Sequence, residues 1–205
     1  GATQIDPEYA TACALLAGCS DGDDGAAPSP TPSTPAQPTP STPAPTTSEP
    51  EQPGRPRVTG SVAEDLQIPW GLVFLPSGDA LVAERATRQI KRVRAGGGVS
   101  TVGEVPGVLP GGEGGLLGLA IPPDFEESRW LYAYFTAVAD NRIVRMRYQN
   151  GRLGPPDTVF TGIPKGGNHN GGRIAFGPDG MLYATAGEAG NPPLAQDRGS
   201  LGGKI

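Results

Sequence analysis

The sequence predicts an all-β protein of the β-propeller class, and three observations predict it. A strand, a turn rich in Pro, Asp and Gly, and a second strand recur three times between Val58 and Ile205. The prolines that mark those turns, Pro76, Pro123 and Pro178, lie 47 and 55 residues apart. No long segment carries the 3.6-residue periodicity of a packed helix. A strand-turn-strand unit recurring every ~40 to 50 residues is how propeller blades show themselves in a sequence.

The units can be taken in order. Leu72-Val73-Phe74-Leu75-Pro76 runs through Ser77-Gly78-Asp79 into Ala80-Leu81-Val82-Ala83. Leu119-Ala120-Ile121-Pro122-Pro123 runs through Asp124-Phe125 into Trp130-Leu131-Tyr132-Ala133-Tyr134. Ile174-Ala175-Phe176-Gly177-Pro178 runs through Asp179-Gly180 into Met181-Leu182-Tyr183-Ala184-Thr185. Each is an apolar strand, a turn whose Gly and Pro fix its backbone, and an alternating second strand. Between them, Gln89–Arg94 and Asn141–Tyr148 alternate charged and apolar residues, as exposed outer strands should. Two and a half to three blades fit between Val58 and Ile205. A propeller closes its ring to remove open edges, so the expectation is the first part of a longer, six-bladed protein, inactive and marginally stable by itself. Ser200–Ile205 reads as part of a further strand.

Composition divides the chain. Of 205 residues, 32 are Gly and 24 Pro, yet 36% are hydrophobic, so one part can bury a core and another cannot. No Lys or Arg precedes Arg55, whereas seven acidic residues do, leaving the remainder nearly neutral with 16 basic and 14 acidic side chains. A neutral domain without a basic stripe argues against nucleic acid as a partner. Both cysteines, Cys13 and Cys19, sit in the first twenty residues, so the globular part has neither a disulfide nor a thiolate metal site.

Ala10–Cys19 is short, apolar and small, and ends in Leu16-Ala17-Gly18-Cys19. It resembles a bacterial lipobox, in which the chain is cut before a cysteine whose thiol is then acylated; the alternative is an ordinary apolar helix end with a buried cysteine. Residues 1–19 are therefore expected to be the remnant of a signal peptide, with Cys19 as the lipidation site. Residues 20–57 read as a disordered linker: ten prolines with Ser and Thr between Pro28 and Pro53 cannot form a core and favour an extended polyproline spacer. At ~3.1 Å per residue such a spacer reaches roughly 80 Å. Residues 58–205 form the partial propeller, expected at the extracellular face of the membrane or secreted.

The densest chemical signal is Gly166-Gly167-Asn168-His169-Asn170-Gly171-Gly172-Arg173. Four glycines around a polar trio describe a backbone that turns sharply or lets something approach closely. The trio precedes a predicted inner strand, which puts it on a loop entering the central channel. His169, the only histidine in the chain, is the side chain best suited to take a proton near neutrality; a turn histidine satisfied by backbone carbonyls is the alternative.

The segment NHNGGRIAFGPDGMLYATAGEAG resembles the active-site strand of the soluble PQQ-dependent glucose and aldose sugar dehydrogenases. IPWGLVFLPSGDALVAER, GGEGGLLGLAIPPDFEESRWLYAYF and QDRGSLGGKI are similar to that family's first blade, its second, and the strand after the active-site loop. The resemblance implies oxidation of an aldose at C1 to the lactone, with hydride passing to pyrroloquinoline quinone (PQQ) and His169 as general base. It places Glu113 near sugar and quinone, where glucose-oxidising members often carry Gln, and Asn168 beside the base, where they carry Asp. Leu194 aligns with a residue on the cofactor face. Arg173 reads better as a structural ion-pair partner than as a ligand contact. The resemblance also implies Ca²⁺ at the quinone, with its ligands and the cofactor's carboxylate grip expected beyond Ile205, and a soluble or membrane electron acceptor as partner. A calcium-dependent propeller lactonase and a non-enzymatic surface recognition propeller are the alternatives, since one fold hosts many functions.

Overall fold

A computed structural model describes residues 58–205. The lipobox, Cys19 and the linker lie outside the described residues. Four antiparallel strands form the first sheet in chain order, β1 (Pro69–Phe74), β2 (Ala80–Glu84), β3 (Gln89–Val93) and β4 (Val99–Glu104). A second sheet follows with β5 (Leu116–Ala120), β6 (Trp130–Thr136) and β7 (Asn141–Gln149). It is extended by a short hairpin strand, β8 (Arg152–Leu153), and by β9 (Asp157–Ile163) on the far side of β7. β10 (Ile174–Phe176) and β11 (Leu182–Ala184) open a third sheet. The described residues are thus two β-propeller blades and the first hairpin of a third, in agreement with the repeat.

The turns form where their residues demand it. Between β1 and β2, Gly78 takes φ 84°, and its N–H donates to the Leu75 carbonyl at 2.9 Å. Asp79 closes that turn and reaches the next one. Its carboxylate accepts the Ala95 N–H at 3.0 Å and the Arg92 Nε–H at 2.6 Å. The Ala95 amide first, and then the Arg92 guanidinium, hold its carboxyl below the usual carboxylate range.

The core lies between blades. Leu81, Ala83 and Ile90 of the first sheet pack with Leu116, Leu119, Leu131, Phe135 and Met146 of the second. Alternation along β6 sends Tyr134 to the opposite face, and an irregularity in β5 between Leu116 and Leu119 sends Leu117 and Ala120 there too, against Ile174 and the flanking Phe176 and Leu182 of the third. The strands of the middle blade are therefore apolar on both faces, and each buried Leu or Phe contributes roughly 1.5–3 kcal/mol.

The inner strands crowd towards the axis, with β5 beside both β1 and β10. A Cβ at Gly71 would collide with the Leu117 carbonyl oxygen, and one at Gly118 with that of Gly172. Glycine is needed at both positions for this approach.

Two expectations change. Gln89–Arg94 and Asn141–Tyr148 are third strands, with β4 and β9 outside them, and much of β7 is buried. Their charged residues are accommodated by neighbours. The guanidinium groups of Arg147 and Arg145 lie 3.8 and 4.5 Å from the Trp130 ring centroid, and Arg145 also pairs with Asp157 at 2.8 Å. Ser200–Ile205 forms no strand. Lys204 makes a single bridge to Ala186, while its ammonium group caps the carbonyls of Leu194, Ala195 and Gly202.

Candidate active site

Antiparallel alternation puts the loops that enter inner strands at the same end as the loops that join second strands to third. Hydrogen bonds tie these loops together: Arg85 N–H to the Ile68 carbonyl at 3.1 Å, Leu116 N–H to that of Arg85 at 3.1 Å, and Ala189 N–H to that of His169 at 3.1 Å. His169 sits on the loop into β10, at this end. Its backbone is left-handed, φ 52°, a conformation rare for a residue with a Cβ.

Three contacts fix it. Its N–H donates to Glu113 Oε2 at 2.7 Å, and its carbonyl accepts from Ala189. Its ring Nδ1 lies 2.5 Å from Glu188 Oε1. A Cβ at Gly187 would strike the His169 carbonyl oxygen, so glycine there lets the Glu188 turn close over the loop. The imidazole is 54% exposed and the Glu188 side chain 19%, so the ring faces the rim with its orienting carboxylate tucked behind it. Neutral His169 then carries its proton on Nδ1, donated to Glu188, which leaves the Nε2 lone pair outward. The Glu188 hydrogen bond first, then the charges of Glu188 and Glu113, raise the imidazole above its ordinary value; His169 in turn holds Glu188 below its own.

Beneath the loop lies a polar cluster. Asn141 and Asn170 are 0% and 2% exposed. Asn141 Nδ2 donates to the Pro164 carbonyl at 2.7 Å and to Asn170 Oδ1 at 3.0 Å, and its Oδ1 accepts from Thr136 Oγ1 at 2.7 Å. Asn170 clasps Gly166, accepting its N–H at 3.0 Å and donating to its carbonyl at 2.9 Å. The Tyr134 hydroxyl, pushed up by burial and so kept protonated, donates to the Asn170 carbonyl at 2.9 Å. Each of these side chains has its partners, as buried polar groups must.

The residues singled out in the sequence divide. Glu113 and His169 are brought together, although Glu113 reaches the histidine's backbone and not its ring. Asn168 is exposed beside His169, with its Oδ1 towards Gly190. Leu194 sits in a helical turn, Pro193–Gln196, half-buried against Gly202. Arg173, expected in an ion pair, stacks 4.4 Å from the Trp70 ring centroid and bonds the Trp70 carbonyl at 3.4 Å. Glu188 and Asn141 were not anticipated. Glu188 was within reach of the repeat itself, because the turn after a unit's second strand must return to the end where the next channel loop begins. Among the described residues no cluster of three or more His, Cys, Asp or Glu side chains forms a metal cage.

A half-exposed imidazole held at Nδ1 by a carboxylate has the chemistry to accept a proton at its other nitrogen. Residues 66–205 match the Glucose / Sorbosone dehydrogenase family, and the chain belongs to it. The PQQ-bound aldose sugar dehydrogenase of Streptomyces coelicolor superposes with a TM-score of 0.71 at 58% identity, over 73% of this chain and 46% of that one. An aldose sugar dehydrogenase of Escherichia coli strain K12 is 34% identical over 152 residues, 69% of this chain and 41% of the relative. The quinoprotein glucose dehydrogenase B of Acinetobacter calcoaceticus is 32% identical over 149 residues, 65% of this chain and 31% of the relative. This chain spans less than half the length of each.

Proposed function

We propose that the protein oxidises an aldose at C1 to the lactone with PQQ as its redox cofactor. The observation that carries this reading is the His169–Glu188 pair, on a chain 58% identical over its matched length to a PQQ-bound aldose sugar dehydrogenase. His169 Nε2 takes the proton of the C1 hydroxyl, and Glu188 stabilises the imidazolium that forms, holding the ring through Nδ1. PQQ, when bound, supplies the hydride acceptor that no amino-acid side chain can provide. The imidazole is open to such a ligand, being 54% exposed at the rim. Side chains added at Gly111 and Gly167, on the two loops that meet at His169, would enter open space, so neither position crowds the imidazole. Asn168 and Leu194 are proposed to face the cofactor, Leu194 from the turn that Lys204 caps. The resemblance also implies Ca²⁺, whose ligands are expected beyond Ile205.

The test is full-length protein supplied with PQQ and Ca²⁺, a dye acceptor and a panel of aldoses. Sugar-dependent dye reduction that requires PQQ is the expected result. Its absence with every sugar overturns the reading.

The pair predicts a pH profile. Glu188 raises His169, and the base works only when deprotonated, so kcat/KM should climb with pH through a value above the imidazole's ordinary one. In Glu188→Gln the amide oxygen still accepts from Nδ1 but the charge is gone. His169 falls back towards its ordinary value, the acid limb moves to lower pH, and the plateau drops about tenfold or more as the imidazolium loses its counter-charge. An acid limb that stays in place or moves upward would exclude Glu188 as the partner that tunes the base.

We further propose that the protein is held at the extracellular face by acylation of Cys19, on the support of Leu16-Ala17-Gly18-Cys19 and the proline-rich spacer behind it. Metabolic labelling with a radioactive fatty acid should mark the wild type and not Cys19→Ser. Equal labelling of both would overturn the anchor.

A further inference from the structure

Glu113 lies 56 residues before His169, on the loop that enters a different blade, yet the two loops are joined at two points. The Glu113 N–H donates to the Gly167 carbonyl at 2.9 Å, and Glu113 Oε2 accepts the His169 N–H at 2.7 Å. Gly112 makes this approach possible: at φ 55° it lies against the same Gly167 carbonyl, where a Cβ would collide. The loop so gripped has glycine at 166, 167, 171 and 172, and little intrinsic stiffness. His169 within it is left-handed, a strained backbone for a residue with a Cβ that contacts from its surroundings must offset.

We propose that Glu113 is a positioning residue, acting through the backbone of His169 to hold the base in its left-handed conformation. The physical case is one of attachment points. Glu188 holds the ring only at Nδ1, about which the imidazole and its loop can still swing. Ala189 holds the His169 carbonyl and Glu113 its N–H, so the peptide groups on both sides of the Cα are fixed by two separate loops. Releasing the N–H frees one side, and the Nε2 lone pair moves with it. The carboxylate suits the task, because a charged acceptor makes a shorter and stronger bond to an amide than a neutral one. This assignment rests on His169 being the base of the proposed reaction, but the grip itself can be measured without turnover.

The experiment uses the full-length protein as wild type, Glu113→Ala and Glu113→Gln. Hydrogen exchange is resolved at the His169 amide without cofactor, and steady-state kinetics are then measured with PQQ supplied. In Glu113→Ala the His169 amide should exchange roughly tenfold faster or more, since its local hydrogen bond is lost. kcat should fall by roughly ten- to a hundredfold, the cost of a misplaced base, with KM within about twofold. Glu113→Gln should recover most of both, because its amide oxygen can accept the same N–H. Unchanged exchange at His169 in Glu113→Ala overturns the proposal. So does a raised KM with kcat intact, which marks a ligand contact, or a Glu113→Gln as impaired as Glu113→Ala, which marks a role for the charge alone. A wild type without PQQ-dependent turnover overturns the reaction and leaves the exchange result to decide the grip.

Discussion

His169→Ala should lower kcat of the proposed reaction by about 10²–10⁴-fold while leaving the protein folded and able to take up PQQ, the range removed with a general base. In barrier terms that is roughly 3–5 kcal/mol. The imidazole is exposed at the rim and makes one side-chain hydrogen bond, to Glu188, so its removal leaves no cavity and no buried orphan. His169 is also left-handed, a backbone Asn tolerates better than Ala, so the control is His169→Asn, which keeps a polar side chain but no proton acceptor of comparable basicity. Both variants should lose the acid limb of the pH profile, because the group that titrates there is gone. Dye reduction at saturating aldose, with PQQ occupancy followed by absorbance, measures the two effects separately. If either variant retained more than about a tenth of wild-type kcat with its pH profile intact, the base would lie elsewhere.

The blades were legible because turns and inner strands obey local rules. Ser77-Gly78-Asp79 and Asp179-Gly180 are turns whichever protein holds them, and apolar runs such as Leu116–Ala120 become buried strands. The order of strands within a blade was not legible. Lys91, Arg92, Arg145 and Arg147 give their segments the look of solvent-facing edges. In the fold Arg92 is paired with Asp79, Lys91 bonds Gln89 and Thr101, and the other two lie over Trp130. Such side chains cover apolar surface with their stems and rings while keeping their charge in contact with water or a partner.

In the site, the glycine-flanked histidine stood out because its composition is unusual within eight residues. Glu188 did not, because its role is created by a contact across 19 residues and two loops. Glu113 was legible as a site residue, but its hydrogen bond to a backbone N–H is a property of loop packing that no motif encodes. Asn141 was missed for a third reason. At the start of a polar strand it reads as exposed, and only the neighbouring blade makes it buried.

That burial makes Asn141→Ala the substitution with the largest expected effect on stability. The side chain is fully buried and makes three hydrogen bonds, two as donor and one as acceptor. Truncation strands the Thr136 hydroxyl and the Pro164 carbonyl, and leaves Asn170 Oδ1 with the Gly166 N–H alone. An unsatisfied buried group costs about 1–3 kcal/mol, so a loss of roughly 3–5 kcal/mol is expected. In a domain of this size it lowers Tm by about 10 °C or more. Asn141→Asp isolates the donor side. It keeps an acceptor for Thr136 but turns a carboxylate towards two oxygens, and should be no more stable than Asn141→Ala. The effect should also reach the chemistry, because Pro164 and Asn170 bracket the segment that carries His169. Amide exchange across Gly166–Asn170 should rise in Asn141→Ala further than in blade one, and kcat should fall even where the protein remains folded. A Tm within about 2 °C of wild type would show that the cluster relaxes onto other partners and that the base loop is held from above, by Glu113 and Ala189, and not from below.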